Sequence, residues 1–264
     1  MELNLDEYKN KLQDIAVRAI KEKELEKMLF NVQQFWSIAF LTVAPYKDKQ
    51  DFYILGNNEE LITKLDDSLE TISSILSSRY VEGIRSRVEK EKEDLRYFQE
   101  LLDAWMICQK NWMYLEPIFS SSDIQKQLSS EYKRFHSVEN QWKSTMKNAL
   151  TKRSASHWAH NEKNQLQSFK KDNENLEKVQ KALEDYLENK RQDFPRFFFL
   201  SNDELLEILS QAKEPQKIQP HLRKCFENIN KLEFDSNIVS AMISGILFDK
   251  SLKLTNLNSR RRKS

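Results

Sequence analysis

The sequence predicts a mainly α-helical protein, an elongated array of helix bundles with one short β-hairpin near residues 38–55. The chain of 264 residues contains only three glycines and five prolines, and 31% of its residues are charged. This composition favours helices over a many-stranded sheet, which needs more turn residues. Apolar residues also recur at three- and four-residue intervals through most of the chain, which is the period of one face of an α-helix.

The first predicted element is a long amphipathic helix through roughly the first 35 residues. Its apolar positions are Leu12, Ile15, Ala16, Ala19, Ile20, Met28, Leu29, Val32, Phe35 and Trp36. The pattern then changes, because residues 37–43 are β-branched and aromatic and Pro45 ends them, while residues 51–55 form a second such run closed by Gly56. Two short runs of this kind predict the strands of one hairpin. A helix that continues through Pro45 is the alternative.

Helical spacing returns at Asn58 and predicts a second helix. The third predicted helix has the clearest apolar stripe, formed by Val88, Leu95, Phe98, Leu102, Trp105 and Trp112. We expect it to end at Glu116-Pro117, because proline has no amide hydrogen and clashes with the preceding turn. After a turn over residues 120–123, apolar spacing from Tyr132 to Ala149 predicts another long helix. Trp105, Trp112 and Trp142 lie on these stripes and are expected to pack in the core.

Residues 151–164 lack sustained periodicity and are predicted to form a loop. Leu176, Val179, Leu183 and Tyr186 then predict a helix that packs on its neighbours. A capped helix is expected from Ser201 to about Ala212. A break at Glu214-Pro215 precedes a last helix that begins near Pro220, a favoured first-turn residue.

The stretch Phe194–Leu209 is the most informative part of the sequence. An aromatic run stops at Ser201, whose hydroxyl can cap a new helix while Glu204 reaches back to the serine amide. Phe197, Phe198 and Phe199 are consecutive, so they cannot all face one core from a helix. We therefore expect an extended segment wedged between helix layers, with one ring left to meet a partner.

The charge balance limits the classes of function. Lysine plus arginine number 42 and aspartate plus glutamate 41, a net charge of +1, which argues against a dedicated nucleic-acid binder. The N-terminus lacks the features of a signal peptide, and the longest apolar run, residues 35–45, is too short to span a bilayer as a helix. Cys108 and Cys225 are expected to be buried reduced thiols. We expect an intracellular, soluble protein.

The sequence contains no phosphate-binding loop. Such a loop needs two glycines that flank four residues, then lysine and serine or threonine, so that backbone amides cradle the phosphates. Gly56, Gly83 and Gly245 stand alone, and none precedes a Gly-Lys pair. A dinucleotide fingerprint is missing for the same reason.

The histidines are weak candidates for a functional site. His157 and His160 could lie on one face of a helix with Glu162 near, but a third ligand at fixed spacing is missing, so exposed loop residues are the favoured interpretation. His136 and His221 have no neighbouring nucleophile and acid that spell a triad, although triads assemble in space.

The paired carboxylates Asp66-Asp67 and Asp203-Glu204 are expected in a chain with 41 acidic residues, and the second pair suits a first helical turn. The basic run Arg260–Lys263 at the chain end is expected to be incidental. We therefore predict no catalytic, cofactor-binding or metal-binding residues in this chain.

Five blocks of the sequence, in order, resemble the linker region of dynein heavy chains, most like the axonemal branch. The blocks are residues 21–27 leading to Phe35-Trp36, residues 53–56 followed by 65–67, residues 112–119, residues 194–209 and residues 219–227. The resemblance covers about Ile15 to Met242, and residues 112–119 and 194–209 are its most specific blocks. It divides the chain into a linker region, residues 1–235, and a divergent tail, residues 236–264, expected to be disordered.

The resemblance implies a mechanical function. In this family the linker is a helical lever across a ring of AAA+ modules, and ATP hydrolysis in the ring bends and straightens it to drive minus-end-directed movement on microtubules. ATP and Mg²⁺ would then belong to the ring of the full-length motor, and this chain would hold no cofactor and catalyse no reaction. The expected partners are the AAA+ ring and the intermediate, light intermediate and light chains, with microtubules engaged only indirectly and no nucleic acid or membrane. The expected location is the cytoplasm and cytoskeleton, in the axoneme of the cilium.

The sequence also departs from the family. The family would continue past residues 240–244 into an acidic, glycine-containing segment and the first ring module, whereas this chain turns into a lysine- and arginine-rich end. A truncated or alternatively ended product is therefore expected. A free-standing helical scaffold or regulator without motor activity is the alternative.

Overall fold

A computed structural model describes residues 9–47, 49–210, 221 and 224–226 of the chain. Over these residues the fold is mainly α-helical with one antiparallel hairpin, as predicted. The elements in order are α1 (Lys9–Ile38), β1 (Val43–Pro45), β2 (Tyr53–Leu55), α2 (Glu59–Ser77), α3 (Arg85–Phe119), α4 (Ser122–Gln127), α5 (Ser129–Thr151), α6 (Ala155–His160), α7 (Gln165–Asp193), a 3₁₀ helix (Pro195–Phe199) and α8 (Asn202–Ser210). No helix in the described part of the chain is long and apolar enough to cross a membrane.

The chain divides into two compact units. Unit 1 comprises Met1–Lys110 and Val138–Glu174, and unit 2 comprises Asn111–Ser137 and Asn175–Ser264. The bounds of three helices, α3, α5 and α7, cross from one unit into the other, so each of these helices supplies a segment to both.

Tryptophans organise the core of unit 1. The Trp105 ring lies 4.9 Å from Trp158 and 5.1 Å from Phe169 between ring centroids, and Trp105 is fully buried. Trp36 of α1 packs edge-on against Phe98 of α3 and donates a hydrogen bond of 3.1 Å to the Ser68 hydroxyl of α2. Core packing of Trp105, Trp112 and Trp142 is confirmed, because all three are almost fully buried.

The predicted long first helix is confirmed, but only its last third is packed. Leu29, Val32 and Trp36 are buried, whereas Ile15 is 62% exposed and lies in a turn whose apolar residues face outward. Apolar spacing therefore located the helix correctly without showing which turns are covered within this chain.

The hairpin pairs Val43 with Leu55 and Pro45 with Tyr53. Its bounds differ from the prediction, since residues 37 and 38 belong to α1 and Pro45 lies in the strand rather than after it. Proline is tolerated there because the strand ends at that residue and loses no further ladder hydrogen bond.

Side chains from the helices hold the outer edge of β2. The Gln109 side-chain amide accepts a hydrogen bond from the Leu55 amide at 2.7 Å and donates one to the Leu55 carbonyl at 3.1 Å. The Trp142 indole donates to the Tyr53 carbonyl at 3.1 Å. These three bonds occupy backbone groups that a third strand would otherwise pair.

In unit 2, Phe119 stacks on Phe135 with 5.2 Å between ring centroids. The predicted packing of the α7 segment is confirmed, because Leu176, Val179 and Leu183 are buried. The fourth predicted position, Tyr186, is half-buried, and the next residue, Leu187, is buried.

The prediction that the third helix ends at Glu116-Pro117 is wrong. Helix α3 continues through Pro117 to Phe119. Proline there has no amide hydrogen to donate to the Met113 carbonyl, and the helix ends two residues later, so little of it lies beyond the proline. The Ser120 amide still donates to the Glu116 carbonyl at 3.1 Å, which closes the last turn.

The predicted loop over residues 151–164 contains helix α6, and the predicted turn over residues 120–123 leads directly into α4. Both helices have six residues, too few for an apolar period to repeat. The Ser154 hydroxyl caps α6 by accepting a hydrogen bond from the His157 amide at 3.4 Å, and Trp158 anchors the helix in the core.

Several predictions fall outside the described residues. They are the helix end at Ala212, the break at Glu214-Pro215, most of the last helix from Pro220 and the tail over residues 236–264. Of that last helix, the structure describes His221, Lys224 and Cys225 in helical conformation. Cys108 and Cys225 are free buried thiols, as expected, and burial raises the pKa of each.

Candidate functional site

The aromatic joint, which we define as residues 194–210 of unit 2, is the candidate functional site. It begins where α7 ends. The Phe194 amide donates to the Lys190 carbonyl at 3.0 Å, and Phe194 then turns to an extended conformation with φ −136° and ψ 92°. The residue before a proline is driven out of the helical region by the proline ring, so Pro195 fixes this change of direction.

The extended segment predicted for the three phenylalanines is wrong, because Pro195–Phe199 form a 3₁₀ helix. The Phe197 amide donates to the Phe194 carbonyl at 2.9 Å. A helix with three residues per turn points consecutive side chains about 120° apart, so only one ring can face inward. Phe197 is 8% exposed, whereas Phe198 is 57% and Phe199 62% exposed. Two rings, rather than the expected one, face outward.

The predicted cap at the start of α8 is confirmed. The Ser201 hydroxyl accepts a hydrogen bond from the Glu204 amide at 3.3 Å, and the Glu204 carboxylate accepts one from the Ser201 amide at 3.0 Å. These reciprocal bonds satisfy two backbone amides that the helix itself leaves unpaired.

Two cations reinforce the joint. The Arg191 guanidinium donates to the Leu200 carbonyl at 3.2 Å and to the Asn202 side chain at 2.7 Å, which ties the end of α7 to the start of α8. The Lys224 ammonium pairs with Glu204. Its hydrogen bond and the Ser201 amide lower the pKa of Glu204 to about 2, so the carboxylate stays charged through the neutral range and the cap is held.

This arrangement has the features of a structural joint. Within the joint, Glu204 is engaged in the cap and in an ion pair, Glu207 faces His221, Arg196 lies over the Phe226 ring, and the Ser201 hydroxyl accepts from a backbone amide. Such a site can set and hold the angle between two helices. The local signal for it is the four-residue sequence from Ser201 to Glu204.

The structure separates the two histidines that were weighed as a metal site. In unit 1, His157 Nε2 lies 3.2 Å from Glu162 Oε1, whereas His160 Nε2 lies 3.2 Å from Asp94 Oδ2. Burial acts to raise the pKa of Glu162, but hydrogen bonds from His157, Asn148 and Lys152 outweigh it and lower that pKa. No group of three or more potential ligands in the described ranges could hold a metal ion.

The other candidate residues have structural partners. His136 stacks on Tyr132, and His221 Nε2 lies 3.3 Å from Glu207 Oε2. Asp66 accepts a hydrogen bond from Gln99 at 2.9 Å, and Asp67 pairs with Lys64 at 3.1 Å. Asp203 lies in the first turn of α8, as its charge favours. Arg260–Lys263 lie outside the described residues.

Sequence reasoning missed the buried carboxyl groups, of which Asp172 of α7 in unit 1 has the most clearly displaced pKa. It is only 9% exposed, and burial raises the pKa of its carboxyl to about 6. A signal was present, because Asp172 is spaced three and four residues from the buried Phe169 and Leu176 and so lies on the apolar face of the helix.

Comparison with known proteins places the chain in a family. Residues 1–252 match the family described as dynein heavy chain, N-terminal region 2. The chain is 42% identical to dynein axonemal heavy chain 6 of Homo sapiens over 233 residues, which are 88% of this chain and 6% of that protein. It is 42% identical to dynein axonemal heavy chain 1 of Rattus norvegicus over 238 residues, which are 90% of this chain and 5% of that protein.

The same relationship extends to a green alga. The chain is 39% identical to the dynein-1-beta heavy chain, flagellar inner arm I1 complex, of Chlamydomonas reinhardtii over 232 residues, 88% of this chain and 5% of that protein. The chain spans about 5–6% of the length of these relatives. The aromatic joint thus lies within a protein that belongs to the dynein heavy chain family, as a segment of its N-terminal region 2.

Proposed function

We propose that this chain is the linker of an axonemal dynein heavy chain, a non-catalytic lever in an ATP-driven, minus-end-directed microtubule motor that moves cilia. The observation that carries the proposal is the match to N-terminal region 2 of dynein heavy chains over residues 1–252. The relatives' names, which include axonemal heavy chains 6 and 1, favour the axonemal branch.

The described structure suits a lever. Helices α3 and α7 have 35 and 29 residues, and packed helices of this length resist bending because each turn is hydrogen-bonded to the next. A lever also needs a few joints where a change of backbone direction is confined. The aromatic joint provides one, with a fixed proline, a capped helix and two cations at the same place.

We further propose that the chain itself does not hydrolyse ATP. The residues present do not fit ATP and Mg²⁺, since none of the three glycines precedes a Gly-Lys pair. Nucleotide chemistry would belong to AAA+ modules elsewhere in a full heavy chain. The purified 264-residue chain should release no phosphate from ATP above the background, and hydrolysis that survives repeated purification would overturn this.

The proposed partners are the AAA+ ring and the intermediate, light intermediate and light chains of a dynein, with microtubules engaged only through the rest of the motor. The proposed location is the cytoskeleton of the cytoplasm and cilium, in the axoneme.

The lever function is tested in a full-length heavy chain that contains this segment. Replacing both Ser201 and Glu204 by glycine removes the two reciprocal bonds of the cap and should soften the joint. We expect the velocity of microtubule gliding to fall severalfold while ATPase activity in the same preparation stays within about twofold, because only force transmission is altered. The control is Ser73→Gly together with Glu70→Gly, on an exposed face of α2. Unchanged gliding, or an equal loss in the control, contradicts the proposal.

A further inference from the structure

A groove in unit 2 has the features of a peptide-binding site. We propose that this groove, between the last turn of α3 and helix α8, binds a protein segment that inserts one large apolar side chain flanked by lysine or arginine. The groove has a volume of about 400 Å³. We call it the α3–α8 groove, and its use is independent of the lever function proposed above.

The floor of the α3–α8 groove is apolar. It is formed by Met113, Pro117 and Ile118 of α3, Ile124 of α4 and Leu206 of α8. Ile124 and Leu206 are buried and fix the floor, whereas the residues from α3 are partly accessible. A cavity of this size accepts one bulky side chain, since pockets for small molecules begin at about 300 Å³.

Pro117, which lies on the floor, removes one backbone hydrogen bond from the last turn of α3. Pro117 has no amide hydrogen, so it cannot donate to the Met113 carbonyl, which is its usual helix partner one turn earlier. Both residues line the groove.

The rim of the groove is acidic. Asp203 and Glu207 are four residues apart on α8 and therefore lie on the same face of that helix. The charge of Asp203 acts on the opposite wall: burial raises the pKa of Tyr114, and the charges of Asp203 and Glu184 raise it further. His221 lies 3.3 Å from Glu207. Among the residues that the structure describes, no lysine or arginine lines the groove.

These features select one class of occupant. The two rim carboxylates repel nucleic acid and acidic peptides. A free metal ion or a small amine would have no apolar group to place on the apolar floor. An amphipathic segment fits both the floor and the rim. Its apolar side chain removes the floor from water, and its cationic neighbours pair with the rim carboxylates. A second copy of this chain would be a different occupant, and the test distinguishes it.

The test measures binding of short labelled peptides to the full 264-residue chain by fluorescence anisotropy. The probe is Lys-Lys-Trp-Lys-Lys, and the matched peptides are Glu-Glu-Trp-Glu-Glu, which reverses the charge, and Lys-Lys-Ser-Lys-Lys, which removes the apolar anchor. We expect the probe to bind at least about tenfold more tightly than either matched peptide, since each feature contributes separately. If Lys-Lys-Ser-Lys-Lys binds as tightly as the probe, binding is due to general electrostatic attraction, and the proposal is overturned.

Two variants locate the binding. Asp203→Asn with Glu207→Gln should weaken binding of the probe by about fivefold or more, because the rim loses both charges. The control, Glu177→Gln with Glu188→Gln, removes the same charge from exposed positions of α7 that do not line the groove and should change binding less than twofold. Ile118→Ser alters only the floor and should also weaken binding. Thermal unfolding of each variant shows that the fold is kept.

Three outcomes contradict the inference. One is equal weakening by the rim and control variants. Another is unaltered binding by both the rim and floor variants. The third is a chain that dimerises in sedimentation, loses its dimer in the rim variant and fails to bind the probe, which would identify a second copy as the occupant.

Discussion

Ser201 and Glu204 show how two side chains can define the start of a helix. The first amides of a helix have no partner within it, and each costs free energy if it is left unpaired away from water. Here the serine hydroxyl and the glutamate carboxylate each accept from the other residue's amide. The pairing of Glu204 with Lys224 adds a tertiary contact to this local one, so the cap links α8 to the chain that follows it.

We expect Ser201→Ala to lower the free energy of unfolding by about 1 kcal/mol, because the acceptor of the Glu204 amide is lost. Urea unfolding measures the change, and hydrogen exchange should speed up at the first amides of α8. The control is Ser73→Ala. Ser73 lies at an exposed position of α2, where its hydroxyl donates to the Leu69 carbonyl, so its loss should change stability by a few tenths of a kcal/mol at most. Equal effects of the two variants would show that the cap adds nothing.

Asp172 is a residue whose environment opposes its charge. Burial raises the pKa of its carboxyl from the ordinary 3.8 to about 6. The folded chain therefore holds this proton more tightly than the unfolded chain does. The resulting stabilisation is complete below the unfolded value of 3.8 and is lost as the pH rises through about 6.

We expect Asp172→Asn to be more stable than the unmodified chain above neutral pH, by about 2 kcal/mol, because the amide removes the cost of a buried charge. The difference should shrink toward zero near about pH 4, where the carboxyl is protonated in the folded chain. Urea unfolding at several pH values measures it. Asp185→Asn, at an exposed position of the same helix, should show no such pH dependence. A constant difference between pH 4 and 8 would argue against a titrating Asp172.

At the scale of the element, helix α3 shows that a proline need not end a helix. Pro117 removes one hydrogen bond and its ring crowds the preceding turn. The helix nevertheless continues for two residues, because Phe119 is buried against Phe135. The packing of the Phe119 ring offsets the free-energy cost of the proline. Residues 116–117 alone therefore do not predict where the helix ends.

Pro117→Ala should raise the free energy of unfolding by about 1 kcal/mol, because alanine supplies the amide that the Met113 carbonyl lacks. Thermal unfolding followed by circular dichroism measures it. Pro195→Ala is the matched control. Pro195 opens the 3₁₀ helix, where no amide is required, so alanine should give no gain and a small loss through the greater freedom of the unfolded chain. A loss of stability at both positions would contradict the interpretation of α3.

The elements that the sequence predicted are those whose pattern repeats. Helices α3, α5 and α7 each contain several turns of apolar spacing, whereas α6 has six residues and shows no period. The cap at Ser201 was predictable because all its atoms belong to four consecutive residues. The pairing of Glu204 with Lys224 and the burial of Asp172 depend on tertiary contacts, so local sequence could not establish them.

At the scale of the whole molecule, several large apolar side chains face outward. Phe198 and Phe199 are adjacent and exposed, and Ile38 and Phe40 form a second exposed pair in unit 1. Exposed apolar surface of this kind is typical of a segment that is covered by partners in a larger assembly. Because these side chains are exposed in the isolated chain, we expect that chain to be poorly soluble.

We expect the isolated chain to self-associate at micromolar concentration, and Phe198→Ser with Phe199→Ser to increase the monomer fraction in sedimentation. The contrasting variant is Phe197→Ser. Phe197 is buried, so this change should instead destabilise the fold by about 3 kcal/mol and reduce soluble yield. A stable monomer formed by the unmodified chain would contradict the expectation.

The side-chain bonds that hold β2 also affect whether a strand of another chain can pair with it. A two-stranded ribbon offers unpaired backbone groups that can recruit a foreign strand and seed aggregation. Gln109 occupies both backbone groups of Leu55, and Trp142 occupies the Tyr53 carbonyl. The Gln109 side chain thereby makes the hydrogen bonds that a neighbouring strand would make. These backbone groups are then not available to pair with another chain. Side chains of α3 and α5 thus protect this edge of the hairpin from pairing with a strand of another chain.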